Sequence, residues 1–141
     1  MYEYSFKFTR VVDGDTVDGI IDLGFGVSLS ERIRLYGIDA PETRLQRSIK
    51  DYEERVLEKK KGLKAKSRLL ELLKHGSSQP EGLIIQTFLD KKGKYGRILG
   101  DIKYIYARDL YNNKPDSKPW VGYKSISQQL LEESLVKVYN K

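Results

Sequence analysis

The hydrophobic period of this chain changes twice, and those changes limit its fold more than any single motif does. Near the N-terminus apolar residues alternate. Tyr4, Phe6 and Phe8 mark a first strand, Thr16 to Leu23 a second and Arg32 to Ile38 a third, with "GFGVS" as a glycine-rich turn between the last two. From Leu45 the spacing becomes helical: Leu45, Ile49, Tyr52 and Val56 share one face, Gly62 interrupts, and Ala65, Leu69, Leu72 and Leu73 form a second stripe. The stretch "HGSSQPEG" ends the helix, and alternation returns in "LIIQTFLD" and "RILGDIKYIY", joined by the hairpin "KKGKYG". Arg108 to Lys124 is polar and reads as a surface loop. A short helix closes the chain. Ser125 and Gln128 stand in capping-box spacing at its start, and Ile126, Leu130, Leu131 and Leu135 supply its apolar face.

Three strands, a helix and two strands is the element order of the OB-fold, a five-stranded Greek-key barrel. The expected architecture is therefore mainly β with helices (α+β), with a long helix between strands 3 and 4 and a short C-terminal helix. At 141 residues without an internal repeat, residues 1–141 are expected to form one domain. Element order leaves open whether such a barrel binds or catalyses.

Composition narrows the chemistry. The chain has no cysteine and a single histidine, His75, which excludes disulfides, thiolate metal sites and multi-histidine zinc sites. Any metal must be held by oxygen. No apolar run has the length of a membrane span, and the N-terminus alternates and carries Glu3 where a signal peptide needs an unbroken apolar stretch. No membrane association is expected, and a cytoplasmic location is expected unless a leader has been removed. The net charge of +6 is uneven: residues 1–43 hold four Lys/Arg against eight Asp/Glu, and residues 44–141 hold twenty-two against twelve. A basic remainder beside an acidic segment suits an anionic partner, nucleic acid first, with a cation for the acidic part.

The acidic segment has a particular form. In "VVDGDTVDGIIDLG", Asp13 and Asp15 flank a glycine, and "GIDAPET" adds Asp39 and Glu42 where the third strand ends. Asp-Gly is a strong hairpin signal, so independent turn residues are one reading. A meander that returns the chain to its first turn gives another, in which four carboxylates converge, repel one another and call for a hard cation, most plausibly calcium. Arg34 leads into "GIDAPET" and Arg97 closes "KYGR". With a metal and Glu42, two such planar cations suit phosphoryl chemistry.

Taken together, "VVDGDTV", "IRLYGIDAPET", "GLKAKSRLLELL" and "DKKGKYGRILGDIKYIY", in that order, resemble the staphylococcal nuclease (thermonuclease) family from about Phe8 to Tyr106. The resemblance implies an OB barrel and a calcium-dependent, sugar-nonspecific endonuclease that cuts DNA and RNA to leave 3′-phosphate ends. It implies Asp15 and Asp39 as calcium ligands, Ala40 as a ligand through its backbone carbonyl where threonine is familiar, and Asp13 in support. Glu42 would reach the metal through water and position or deprotonate the attacking water. Arg34 and Arg97 would hold the phosphate and stabilise developing charge, with Lys94 and Tyr95 on a neighbouring phosphate. DNA and RNA, preferably single-stranded, are the partners expected of a monomer.

Three features depart from the family pattern. The segment 44–61 is longer than usual, and 108–124 is an insertion in which Trp120 stands among lysines as a core anchor or a base-stacking residue. At the C-terminus the family's base-stacking tyrosine has Tyr139 near it, while the register gives Asn140. Domains of this family that keep the barrel and lose the site supply the alternative, a noncatalytic module binding nucleic acid or protein. Retention of Asp15, Arg34, Asp39, Glu42 and Arg97 together favours the enzyme.

Overall fold

The computed structural model describes residues 2–43, 51–79, 82–88, 98–108 and 120–139, with backbone only at 105–108 and 120–122. In chain order the elements are β1 (Glu3–Asp13), β2 (Thr16–Gly24), β3 (Val27–Leu35), β4 (Ile38–Asp39), α1 (Tyr52–Ser78), β5 (Leu83–Phe88), β6 (Ile98–Arg108), β7 (Trp120–Ser125), α2 (Ile126–Glu132) and β8 (Lys137–Val138).

Strands β1, β2 and β3 form the expected antiparallel meander, and β1 also pairs with β5, which pairs with β6. A short parallel ladder, Ile33 to Ile98, Arg34 to Leu99 and Leu35 to Gly100, joins β3 to β6 and closes the ring. The result is the five-stranded barrel of the OB-fold. Because successive strand side chains point to opposite faces, Phe6, Val17, Ile21, Ile33, Leu35, Leu83, Ile85 and Ile102 are all buried in one core. Helix α1 lays Ala65, Leu69, Leu72 and Leu73 on that core, the stripe the periodicity marks. The cap of α1 is Asp51, whose carboxylate accepts from the Glu53 N–H at 2.9 Å.

Four expectations change. Strand β3 begins at Val27, not Arg32: Val27, Ser28, Leu29 and Ser30 alternate in sequence but are all exposed, and their ladder with β2 makes them part of the strand. Tyr52, expected on the apolar stripe, is the first helical residue and 67% exposed, while Leu45 and Ile49 lie outside the described residues. Gly62 does not interrupt α1, which runs through it. Residues 120–124, expected within a surface loop, form β7 together with Ser125, and β7 pairs antiparallel with Lys103–Arg108 of β6. The physical reason is an edge: β3 leaves β6 at Gly100, and β7 covers the backbone groups beyond it.

Strand β7 runs directly into α2, whose cap is the Ser125 hydroxyl. It accepts from the Gln128 N–H at 3.3 Å and donates to the Asp101 carboxylate at 2.6 Å, so one residue caps a helix and fastens it to β6. An ion pair from Arg68 to Glu133, 2.8 Å long, ties α1 to the end of α2. Among the described residues, no helix is long and apolar enough to cross a membrane.

The continuity of α1 through Gly62 has a cause in packing. There the helix crosses the segment Pro41–Glu42 so closely that a Cβ would collide with the Glu42 carbonyl and lie 2.7 Å from the Pro41 carbonyl oxygen. Helix propensity alone makes alanine better than glycine by roughly 0.5 to 1 kcal/mol. Overpacking against backbone outweighs this. Gly62→Ala is expected to lower stability by about 1 to 3 kcal/mol, read as a lower urea midpoint, and an unchanged or raised midpoint would show that the crossing can relax.

Candidate active site

The site is built on the first turn. Asp13 ends β1 and faces Thr16 at the start of β2, leaving Gly14 and Asp15 as a two-residue connection. Neither has the positive φ that the usual two-residue hairpin turn requires, and a register shift between Val11 and Asp13 bends the strand here. Close packing explains the glycine instead. A Cβ on Gly14 would lie 2.8 Å from the Ala65 Cβ on α1 and 2.9 Å from the Ala40 Cβ, so only the smallest residue lets the turn fit under both.

Asp15 is buried at 5% exposure, and its backbone carbonyl accepts from the Leu35 N–H at 2.8 Å, which ties the turn to the end of β3. Burying a carboxylate without partners would be costly. Here its Oδ1 accepts from the Thr16 hydroxyl at 2.9 Å, and its Oδ2 accepts from the Ala40 N–H at 3.0 Å and pairs with Arg34 Nη1 at 2.8 Å. The other arm of Arg34, Nη2, reaches Asp39 Oδ1 at 3.2 Å and the Ile38 carbonyl at 3.3 Å. One guanidinium therefore bridges two acidic residues that lie on different elements. Burial works against its charge, but Asp15 and Asp39 outweigh that and raise its pKa.

Asp13 accepts from the Thr43 hydroxyl at 2.7 Å. Asp13, Asp15, Arg34, Asp39, Ala40 and Glu42 line a single cavity of about 130 Å³, together with Thr16 and Pro41. Glu42 stands at its rim, and desolvation of its carboxyl, followed by the fields of Asp13, Asp15 and Asp39, pushes its pKa above the ordinary glutamate value, with Arg34 partly offsetting them.

Six of the expected site residues thus meet at one place. Lys94, Tyr95 and Arg97 lie outside the described residues. Trp120 is the first residue of β7, opposite Arg108 of β6. Tyr139 has its ring centroid 5.5 Å from the Arg34 guanidinium carbon, and its N–H donates to the Gly37 carbonyl at 2.9 Å, so one face of this candidate stacking residue rests on a cation. Thr16 and Thr43 were not foreseen as partners of the carboxylates. Their adjacency to "DGD" and "PE" in the chain was the available signal.

The donor set fits a hard cation in chemistry more than in prior arrangement. It is all oxygen, and a carboxylate has about four lone-pair positions, of which Asp15 uses three and Asp39 one among the described contacts. The raised pKa of Glu42 comes first from desolvation and then from the negative fields of Asp13, Asp15 and Asp39, and a divalent ion would relieve the second cause. Among the described residues no three acidic or histidine side chains are already gathered as a metal cage.

A closed OB barrel whose first turn and third-strand exit present carboxylates around an arginine defines a class of small β-barrel domains with a carboxylate-lined site. The model of the staphylococcal nuclease homologue family matches residues 32–141, most of the chain, and the protein belongs to that family. No curated protein matches the chain.

The electrostatics of Glu42 give a direct test without metal. In the metal-free protein its carboxyl is expected to titrate above free glutamate, and Asp13→Asn, which removes one of the repulsions it feels, is expected to lower that value. The sign for stability follows. Since the folded value is raised, proton binding by Glu42 stabilises the fold at low pH, and that contribution is lost as pH rises through the raised value. Carboxyl carbon NMR in chelator reads both effects, and an unshifted titration in Asp13→Asn would separate the two groups.

Proposed function

We propose that this protein is a calcium-dependent, sugar-nonspecific endonuclease that hydrolyses DNA and RNA and leaves 3′-phosphate ends. The observation that carries the reading is Arg34 held between Asp15 and Asp39 in the cavity that Glu42 overlooks, in a chain of the staphylococcal nuclease family. Phosphodiesters resist hydrolysis because their anionic oxygens repel a nucleophile, and such a site answers that difficulty.

Asp15, Asp39 and the Ala40 carbonyl would hold calcium, with Asp13 in support and Glu42 joined through water. Bound there, the ion would withdraw charge from the phosphate. Arg34 pairs a phosphate oxygen through its fork and stabilises the charge that grows as phosphorus becomes five-coordinate. Glu42, with its pKa raised, accepts the proton of a water that attacks phosphorus. The bond to the 5′ oxygen breaks, that oxygen takes up a proton, and the phosphate stays on the 3′ side. Arg97 is assigned to the leaving-oxygen side by family resemblance alone, as are Lys94 and Tyr95 to a neighbouring phosphate. Contacts led by the phosphate backbone imply little sequence preference and an advantage for flexible single strands.

Activity on single-stranded DNA and RNA is expected to need calcium and to be poorly supported by magnesium, which dehydrates reluctantly and demands a tighter octahedron. Arg34→Lys keeps the charge and loses the fork, and a lost transition-state contact of about 4 kcal/mol corresponds to about a thousandfold in rate. Glu42→Gln should bind nucleic acid and scarcely cut it. The assay is product analysis with calcium, with magnesium and with chelator. Binding without cleavage in the parent protein would establish the noncatalytic module instead.

A further inference from the structure

A second cleft, of about 360 Å³, opens beside the carboxylate cavity and shares Asp39, Ala40 and Pro41 with it. Its other walls are Glu58, Lys61 and Lys64 of α1 and residues 133–137 between α2 and β8. We propose that this cleft is a subsite for a phosphate of the same nucleic-acid strand, one that flanks the phosphate in the carboxylate cavity. The proposal rests on the nuclease reading for its substrate class, and adds a place on the protein that the family assignment does not supply.

Three observations carry it. First, the fold aims lysines here from distant parts of the chain. The β4–β8 ladder sets Lys137 directly opposite Asp39, on the same face of that two-stranded sheet, so a cation stands at the partition between cavity and cleft. Lys61 and Lys64 come from the stretch of α1 that Gly62 presses onto Pro41–Glu42, which fixes their backbone against the site segment.

Second, the lysines facing the cleft are not engaged by its carboxylates. Asp39 shares Arg34 with Asp15, and Glu133 shares Arg68 with Glu71 and accepts from Gln129. Lys61, Lys64 and Lys137 make no ion pair among the described residues, and neither does Glu58. Three ammonium groups outside any ion pair are thus left in the cleft to meet an anion, with Glu58 the one cleft carboxylate outside an ion pair among the described residues. Third, the two spaces adjoin across Asp39, Ala40 and Pro41, which suits neighbouring phosphates of one strand better than an unrelated ligand.

The test is equilibrium binding of fluorescent single-stranded DNA in chelator, where no cutting occurs, at a series of salt concentrations. Lys61→Gln, Lys64→Gln and Lys137→Gln are combined in one variant. A control variant loses the same charge through Lys7→Gln, Lys66→Gln and Lys74→Gln, which lie outside the cleft. The cleft variant is expected to bind more weakly and to lose about 0.7 from the log–log salt slope for each phosphate held there, with the control falling by less. Equal slopes in the two variants would overturn the subsite. A separate arm titrates inorganic phosphate at constant ionic strength and follows amide shifts at residues 61–64 and 137. No saturable shift is expected at low millimolar phosphate, and a saturable one would assign the cleft to free phosphate and overturn the strand subsite. Absence of cleavage with calcium would count against the nuclease reading alone, since binding in chelator still decides the cleft.

Discussion

Closure of the barrel depends on a ladder only three residue pairs long. Ile33, Arg34 and Leu35 of β3 run parallel to Ile98, Leu99 and Gly100 of β6, and Tyr36 extends the contact by donating its N–H to the Gly100 carbonyl. Parallel pairing must join parts of the chain far apart in sequence, here across the whole of α1 and β5. Gly100 makes it possible, since a Cβ there would come within 2.7 Å of Ile85 and 3.1 Å of Ile33 across the core. Part of the candidate site hangs from this seam: Arg34 lies in it, and the chain leaving it becomes the segment that carries Asp39, Ala40 and Glu42.

At that exit the protein solves an electrostatic problem with one side chain. Asp15 is buried and Asp39 is exposed, yet both face the cavity, and without a cation their repulsion would work against the meander that brings them together. Arg34 answers both, and the ring of Tyr139 covers it from the C-terminal side. Glu42 makes no ion pair among the described contacts, and desolvation, followed by the fields of the three aspartates, raises its pKa. Of the other three carboxylates, Asp15 and Asp39 reach the guanidinium, and Asp13 accepts from the Thr43 hydroxyl.

Small residues set the distances over which these charges act. Gly14, Ala40, Gly62 and Ala65 let the first turn, the β4 segment and α1 approach to backbone contact, and larger side chains there would push apart the walls that place the carboxylates. The same closeness brings Lys61 and Lys64 beside the cavity, so packing and surface charge have one origin at this corner of the fold.

The sequence by itself determined the five barrel strands, the two helices and their apolar faces, because periodicity is a local property: Phe6, Leu69, Leu73 and Leu130 were readable as core without any knowledge of their partners. It also determined the chemistry available, since with no cysteine and one histidine a metal could be met only by oxygen. What it left open was pairing over distance. Strand β7 was invisible because its reason for being a strand is the edge that β3 leaves uncovered on β6, and Gly62 read as a break because its collision partner lies in another part of the chain. Only the tertiary structure decided that Arg34 divides itself between Asp15 and Asp39, and that Lys137 stands opposite Asp39. Those contacts depend on barrel closure and strand register, which place residues side by side regardless of their separation along the chain.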